Sequence, residues 1–192
     1  MKTVGVLALQ GDFAAHEAAL IRVGANPIQV RTLGHFDEIE GLIIPGGEST
    51  TMLKLLHYDG LMDRLRRFAA EKCIFGTCAG AILLAKSLVN SNQETLGAMD
   101  IRVERNAYGR QRDSRITAIQ PEKEFLNRAG PGSMEVVFIR APIIRDAAPN
   151  ATVLARYNGD PILVEQGRHM AGTFHPELTA DNRVHALFLQ KL

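Results

Sequence analysis

The feature that most constrains this chain is an alternation in its first half between short apolar runs with the look of strands and longer helical patterns. Residues 4–9, 27–30, 42–44 and 73–77 read as strands, and residues 13–23, 51–56, 61–71 and 79–88 as helices. Strands that are apolar throughout have no face to offer to water, so they must be covered on both sides, which is the condition of a parallel sheet in an α/β layer fold. The expected fold class is therefore α/β and doubly wound, with a largely parallel or mixed central sheet and helices on both faces. The second half adds strands at 115–119, 136–139, 152–157, 162–166 and 170–174 and closes on a helix at 182–192. Residues 127–133 read as a Gly/Pro-rich surface loop, and neither a repeat nor a long linker divides the chain, so 1–192 is expected to form one domain.

Composition removes several function classes. With 192 residues, 46% of them hydrophobic, the chain can bury roughly 70% of its unfolded surface and requires no disulfide or structural metal. Its 22 basic and 21 acidic side chains give a net charge of +1, and the densest basic stretch, Arg102 to Arg115, also holds Glu104 and Asp113. No footprint for nucleic acid follows from that pattern. No apolar run approaches the ~20 residues of a membrane span, and residues 4–9 begin without the layout of a signal peptide, so a cytoplasmic protein without a membrane partner is expected. The two cysteines, Cys73 and Cys78, are five residues apart at one strand end and do not form a disulfide framework.

In open parallel sheets the chemistry lies just beyond the carboxyl ends of the strands. There the sequence places Gly76-Thr77-Cys78-Ala79-Gly80, a nucleophile elbow with cysteine at its centre. Glycines two residues to either side remove β-carbons that would collide in so sharp a turn. The helix N-terminus favours a thiolate at Cys78, and the Ala79 N–H points to where an oxyanion would form. Cys73, mid-strand, reads as a small buried hydrophobe.

Expelling an amide nitrogen also needs a proton donor, and His175 begins His-Pro-Glu at a strand exit. In extended chain Glu177 would share a face with His175 and could hold one imidazole nitrogen protonated. His16, His35, His57, His169 and His185 lack such company and read as surface or helix-face residues. The segment 45–50, PGGEST, follows another strand. Its paired glycines allow close backbone approach and the Gly47 N–H can be a second oxyanion donor, although a plain turn with Ser49 or Thr50 as helix cap would fit the segment taken alone.

These motifs, with LALQGDF, VERNAYGRQ, FIRAP and TFHPELT in order along nearly the whole chain, resemble the glutaminase subunits of pyridoxal phosphate synthases, a branch of the class I (triad) glutamine amidotransferases. The resemblance implies a flavodoxin-like fold and hydrolysis of L-glutamine to glutamate and ammonia by Cys78, His175 and Glu177, without metal or cofactor. It further implies a (β/α)8-barrel synthase partner that uses the ammonia. Glutamine would be held by Gly47, Glu48, Ser49, Arg105, Ile139 and Arg140, with Arg105 suited to the α-carboxylate and Glu48 to the α-ammonium. Gln10 and Gly46 would take part in gating by the partner. No role is indicated for Arg102, Arg110 or Arg112. Competing readings are a glutaminase subunit serving another acceptor, such as imidazole glycerol phosphate synthase, a cysteine peptidase or deglycase, and a non-catalytic binding module.

Overall fold

Strands such as Gly41–Ile44 and Cys73–Thr77, buried along their full length, can only lie inside a sheet covered on both faces. The computed structural model, which describes residues 1–105 and 114–192, puts them there. In chain order the elements are β1 (Thr3–Leu7), α1 (Phe13–Arg22), β2 (Asn26–Val30), β3 (Gly41–Ile44), α2 (Ser49–Tyr58), α3 (Met62–Glu71), β4 (Cys73–Thr77) and α4 (Ala79–Leu84). There follow β5 (Ala85–Val89), β6 (Met99–Glu104), β7 (Arg115–Ile119), α5 (Lys123–Ala129), β8 (Met134–Phe138) and β9 (Ile143–Ala147). The chain closes with β10 (Thr152–Tyr157), β11 (Asp160–Gln166), β12 (His169–Gly172) and α6 (Arg183–Leu189).

Among the described residues the main sheet has seven strands in the order β10-β11-β12-β4-β3-β1-β2. The five from β12 to β2 are parallel, and β10 and β11 extend the sheet antiparallel. Counted along the chain, the parallel part has the flavodoxin-like order 2-1-3-4-5. Period-two alternation sends Val4, Val6, Ile43 and Phe75 to one face, where they pack on Leu20 of α1, Phe125 of α5 and Leu187 and Phe188 of α6. Leu7, Leu42, Ile44 and Ile74 face the other way, onto Met52 and Leu56 of α2, Leu65 and Phe68 of α3 and Leu83 and Leu84 of α4. Each such side chain, fully buried, contributes about 1.5–3 kcal/mol of transfer free energy.

Several boundaries differ from the sequence expectation. The helix expected to reach residue 88 stops at Leu84, because Ala85 turns extended (φ −59°, ψ 147°) and β5 pairs in parallel with β6. The apolar residues continue past Leu84, but Lys86 and Ser87 are exposed and belong to a small β5-β6-β9 sheet. β6 and β9 were not expected. In β6, Met99, Ile101 and Val103 do alternate inward, between charged residues that hide the apolar run. The first part of the expected 127–133 loop is the end of α5, a helix whose buried contribution is Phe125 alone, too little for a periodic signal. Helices among the described residues are too short to cross a membrane.

Candidate active site

Cys78 sits between β4 and α4 with φ 49°, ψ −104°, a backbone conformation that costs about 1–3 kcal/mol for a residue with a β-carbon. Its N–H donates to the Gly172 carbonyl of β12 (2.8 Å) and its carbonyl accepts from Ile82 (3.2 Å), so both neighbouring elements hold the strained residue in place. The flanking glycines are required by contact. A β-carbon on Gly76 would lie 2.4 Å from the Gly80 carbonyl oxygen, and one on Gly80 would lie 2.1 Å from that of Ile44. The elbow therefore presses directly on β3 and can form only with glycine at both positions.

His175 follows β12 by three residues, and its N–H donates to the Val137 carbonyl of β8 (2.8 Å). Residues Pro176–Leu178 form a single 3-10 turn rather than the extended exit expected, since Pro176 opens it at a torsion suited to helical turns. The turn still brings Glu177 Oε1 to 2.7 Å from His175 Nδ1. Burial disfavours an imidazolium here, yet hydrogen bonds to Cys78 and Glu177 outweigh it and raise the His175 pKa to about 10. Gly46 closes the site from the β3 side, where a β-carbon would meet His175 Cε1 at 2.4 Å and Cys78 Cβ at 3.2 Å.

The loop after β3 is braced from below. Gln10 Oε1 accepts from the Glu48 N–H (3.1 Å), and its side chain lies against the α-carbon of Gly47, which has φ 150° and no room for a β-carbon. Gly11, with φ 87°, leaves space for the Gly46 carbonyl, which would stand 1.9 Å from a β-carbon there. Neither Ser49 nor Thr50 caps α2. Glu48 does, accepting from the N–H groups of Thr50 (3.1 Å) and Thr51 (2.8 Å) and from both hydroxyls. The Thr50 hydroxyl first, then the other donors of the cap, hold its carboxyl down at about 2. Arg105 is half-buried rather than a solvated charge. It pairs with Glu48 (3.6 Å) and donates to Gln93 Oε1, which also accepts from the Ser49 hydroxyl (3.1 Å).

One cleft of about 230 Å³ gathers most of the expected site: Gly46, Gly47, Glu48, Ser49, Cys78, Arg105, Ile139, Arg140 and His175 line it. Ala79 and Glu177 are buried behind that lining, and Gln10 lies behind Gly47. Arg140 is exposed at the rim with φ 46°. Of VERNAYGRQ, residues 106–111 fall outside the described residues, as do Arg110 and Arg112; Arg102 pairs with Asp146 (2.7 Å), away from the cleft.

Sequence patterns missed Asp12, Ile82, Pro142 and Leu178 in the lining and Gln93 behind it. They also misplaced His169, which is buried in β12. His16 and His185 do lie on helices, α1 and α6, but on their buried faces, where they join ring to ring beneath Glu177, and His35 and His57 are at the surface as expected. Inward and outward histidines look alike in a sequence because imidazole suits either setting. Among the described residues no group of three His, Cys, Asp or Glu side chains is placed to hold a metal ion.

With a cysteine elbow and a His–Glu pair at the carboxyl edge of its 2-1-3-4-5 sheet, this α/β chain is a protein of the glutamine amidotransferase class. A crystal structure of a glutamine amidotransferase, 46% identical, superposes with a TM-score of 0.88 over 98% of this chain and 97% of that one. The chain belongs to the SNO glutamine amidotransferase family, whose profile matches residues 6–192. It is 62% identical over 192 residues, the full length of both chains, to the pyridoxal 5'-phosphate synthase subunit PdxT of Solibacter usitatus. To the protein of the same name from Koribacter versatilis it is 54% identical over 187 residues, 97% of this chain and 94% of that one. A glutamine amidotransferase from Thermotoga maritima shares the fold at 16% identity, with a TM-score of 0.61 over 99% of this chain and 83% of that one.

Proposed function

We infer that this chain is the glutaminase subunit of a pyridoxal 5'-phosphate synthase: it hydrolyses the linear amide of L-glutamine to glutamate and ammonia, and a synthase subunit uses the ammonia. The names of its full-length relatives support this acceptor over imidazole glycerol phosphate synthase. The observation that carries the chemistry is the strained Cys78 facing a His175 whose Nδ1 is already engaged by Glu177 at 2.7 Å.

The proposed steps follow from that geometry. With Nδ1 held by Glu177, Nε2 is the ring nitrogen left to serve Cys78. The Cys78 thiolate attacks the side-chain amide carbon, and negative charge grows on the amide oxygen. The Ala79 N–H, at the first position of α4 where helical N–H groups lack intrahelical partners, is one donor to that oxygen, and the Gly47 N–H is the second. His175 gives its proton to the departing nitrogen, ammonia leaves, and a γ-glutamyl thioester remains. Water then attacks the thioester with His175 as base, releasing glutamate and restoring the Cys78 thiolate beside a protonated His175.

Arg105, with Ile139 and Arg140 at the rim, suits the α-carboxylate of glutamine, and Ser49 lies on the same wall. Glu48 remains the acidic side chain proposed for the α-ammonium. Its four donors within the helix cap hold it in position, and its link to Arg105 supports one network serving both ends of an amino acid head group. Gln10 and Gly46 form the proposed gate: a flip of the Gly46–Gly47 peptide would withdraw one oxyanion donor, and Gln10 steadies the loop that would move. The partner is read as a (β/α)8 barrel, and the chain as one domain of the cytoplasm acting without nucleic acid or membrane.

The test is a coupled reaction in which the chain, the barrel synthase, glutamine and the pentose and triose phosphates are combined and pyridoxal phosphate is followed by absorbance. Product should form with wild type, fail with Cys78→Ala, and return when ammonium salt replaces glutamine. Failure of ammonium to restore product with an active synthase would contradict ammonia delivery as the role of this chain.

A further inference from the structure

Beneath the proposed triad lies a buried polar chain that the steps above do not use. His16 of α1 and His185 of α6 are both fully inaccessible, with His16 Nδ1 at 3.0 Å from His185 Nε2. His16 Nε2 lies 3.0 Å from the Thr77 hydroxyl, one residue before Cys78, and 3.3 Å from Glu177 Oε2. The Glu177 side chain is fully buried, and while Oε1 is taken by His175, Oε2 has no well-formed hydrogen bond among the described residues. The 3.3 Å approach of His16 is a close contact short of that geometry, and it is the polar group within reach.

We propose that His16, oriented by His185, is a positioning residue of this site: its Nε2–H faces Glu177 Oε2 and keeps that carboxylate turned toward His175. The inference rests on the role given to Glu177 above.

The placement of protons can be deduced. Burial first, then the neighbouring His185 and His175, holds the His16 pKa well below its ordinary value, and burial with the charge of Arg22 takes His185 down to about 4. Both rings are therefore neutral near pH 7 and carry one N–H each. His185 Nδ1 has no partner among the described residues. A proton there would be a buried donor left unmade, so the proton of His185 sits on Nε2 and is donated to His16 Nδ1. His16 must then carry its own proton on Nε2, shared between the Thr77 oxygen and Glu177 Oε2. The opposite assignment would leave a buried N–H unsatisfied and aim a bare nitrogen lone pair at a carboxylate. The two N–H bonds thus run in one direction, toward Glu177. The titratable groups facing this chain are Glu177 and His175 from the 176–178 turn and its cap, His185 from α6, Cys78 beyond Thr77, and Arg22 further along α1.

Two experiments decide the matter. In the full wild-type chain, long-range ¹H–¹⁵N NMR of the imidazoles at pH 7 should show His16 and His185 both neutral and protonated on Nε2; a proton on Nδ1 of either ring would overturn the proposal. In complex with the synthase, His16→Phe should lower kcat for glutamate release about 10- to 100-fold with KM nearly unchanged, the range expected when a reacting group loses its alignment. His16→Gln, which keeps an amide N–H, should recover most of the rate. A His16→Gln as defective as His16→Phe, or a His16→Phe whose loss falls on KM rather than kcat, would mean that His16 is only packing. A wild-type complex that releases no glutamate would remove the glutaminase reading and this inference with it, whereas a normal His16→Phe removes this inference alone.

Discussion

Alanine at Gly46 is the smallest change that should disable the site while sparing the fold. Gly46 lacks a left-handed φ, so a β-carbon there strains no backbone by itself. The added atom would stand 2.4 Å from His175 Cε1, whereas ordinary contact begins near 3.4 Å, so the imidazole or the loop must give way by about 1 Å. His175 is anchored by Glu177 at 2.7 Å and by its own N–H to Val137, and Cys78 Cβ stands 3.2 Å away on the other side. Any relief therefore spoils the alignment of His175 with Cys78. A misplacement of that size is worth about 100-fold in rate, or about 2.7 kcal/mol in barrier. Crowding a packed site should also cost about 1–3 kcal/mol of stability. Gly34→Ala is the control, since nothing lies within 4 Å of a β-carbon there. Glutamate release would be measured with the synthase present, alongside thermal unfolding of both variants. A Gly46→Ala enzyme within about threefold of wild type would refute the claim that this contact sets the Cys78–His175 geometry.

Three further outcomes follow from the same site. Glu177→Gln should lose less activity than His175→Asn, because the first loosens an orienting contact and the second removes the acid and base; equal or reversed losses of glutamate release would contradict those roles. Gln10→Ala removes the bond to the Glu48 N–H and should blunt the rise in glutaminase rate on synthase binding, whereas a variant stimulated as fully as wild type would exclude Gln10 from gating. Stability should fall on both sides of neutrality in denaturant titrations. His169 and His185 have folded pKa values lowered to about 4, so the unfolded chain takes up their protons first, and each withdraws about 3 kcal/mol as pH falls from about 6.5 toward 4. His175, raised to about 10, acts in the opposite sense: its contribution is complete below about 6.5 and is lost as pH rises toward 10. Stability independent of pH from 4 to 7 would contradict the buried neutral histidines.

Much of this was legible in the sequence because the central parallel strands β3 and β4 are largely apolar and each runs into a motif with one mechanical use. Gly76 and Gly80 mark an elbow because a β-carbon on either would strike backbone, that of Gly80 in the first case and that of Ile44 in β3 in the second, and His-Pro-Glu places its pair through a rigid turn. What escaped detection was long-range. β5 reads as the tail of a helix until β6 is there to pair with it. Glu48 looks like a free acceptor until the start of α2 is seen to fold onto it. His16 and His185, 169 residues apart, meet only because α1 and α6 cover the same face of the sheet, and no local pattern records that.

Everything proposed for this site depends on Cys78, and not Cys73, being the thiol that attacks glutamine. Cys73 is buried mid-sheet, its thiol near the Lys191 carbonyl (3.1 Å) and its pKa raised by burial, whereas Cys78 opens on the cleft. The direct measurement is intact-mass and peptide mapping after incubating the chain, with synthase, with a diazo-ketone analogue of glutamine. One adduct should form, on Cys78, protected by glutamine and absent in Cys78→Ala; an adduct on Cys73, or none under conditions where the complex releases glutamate, would rule out Cys78 as the nucleophile.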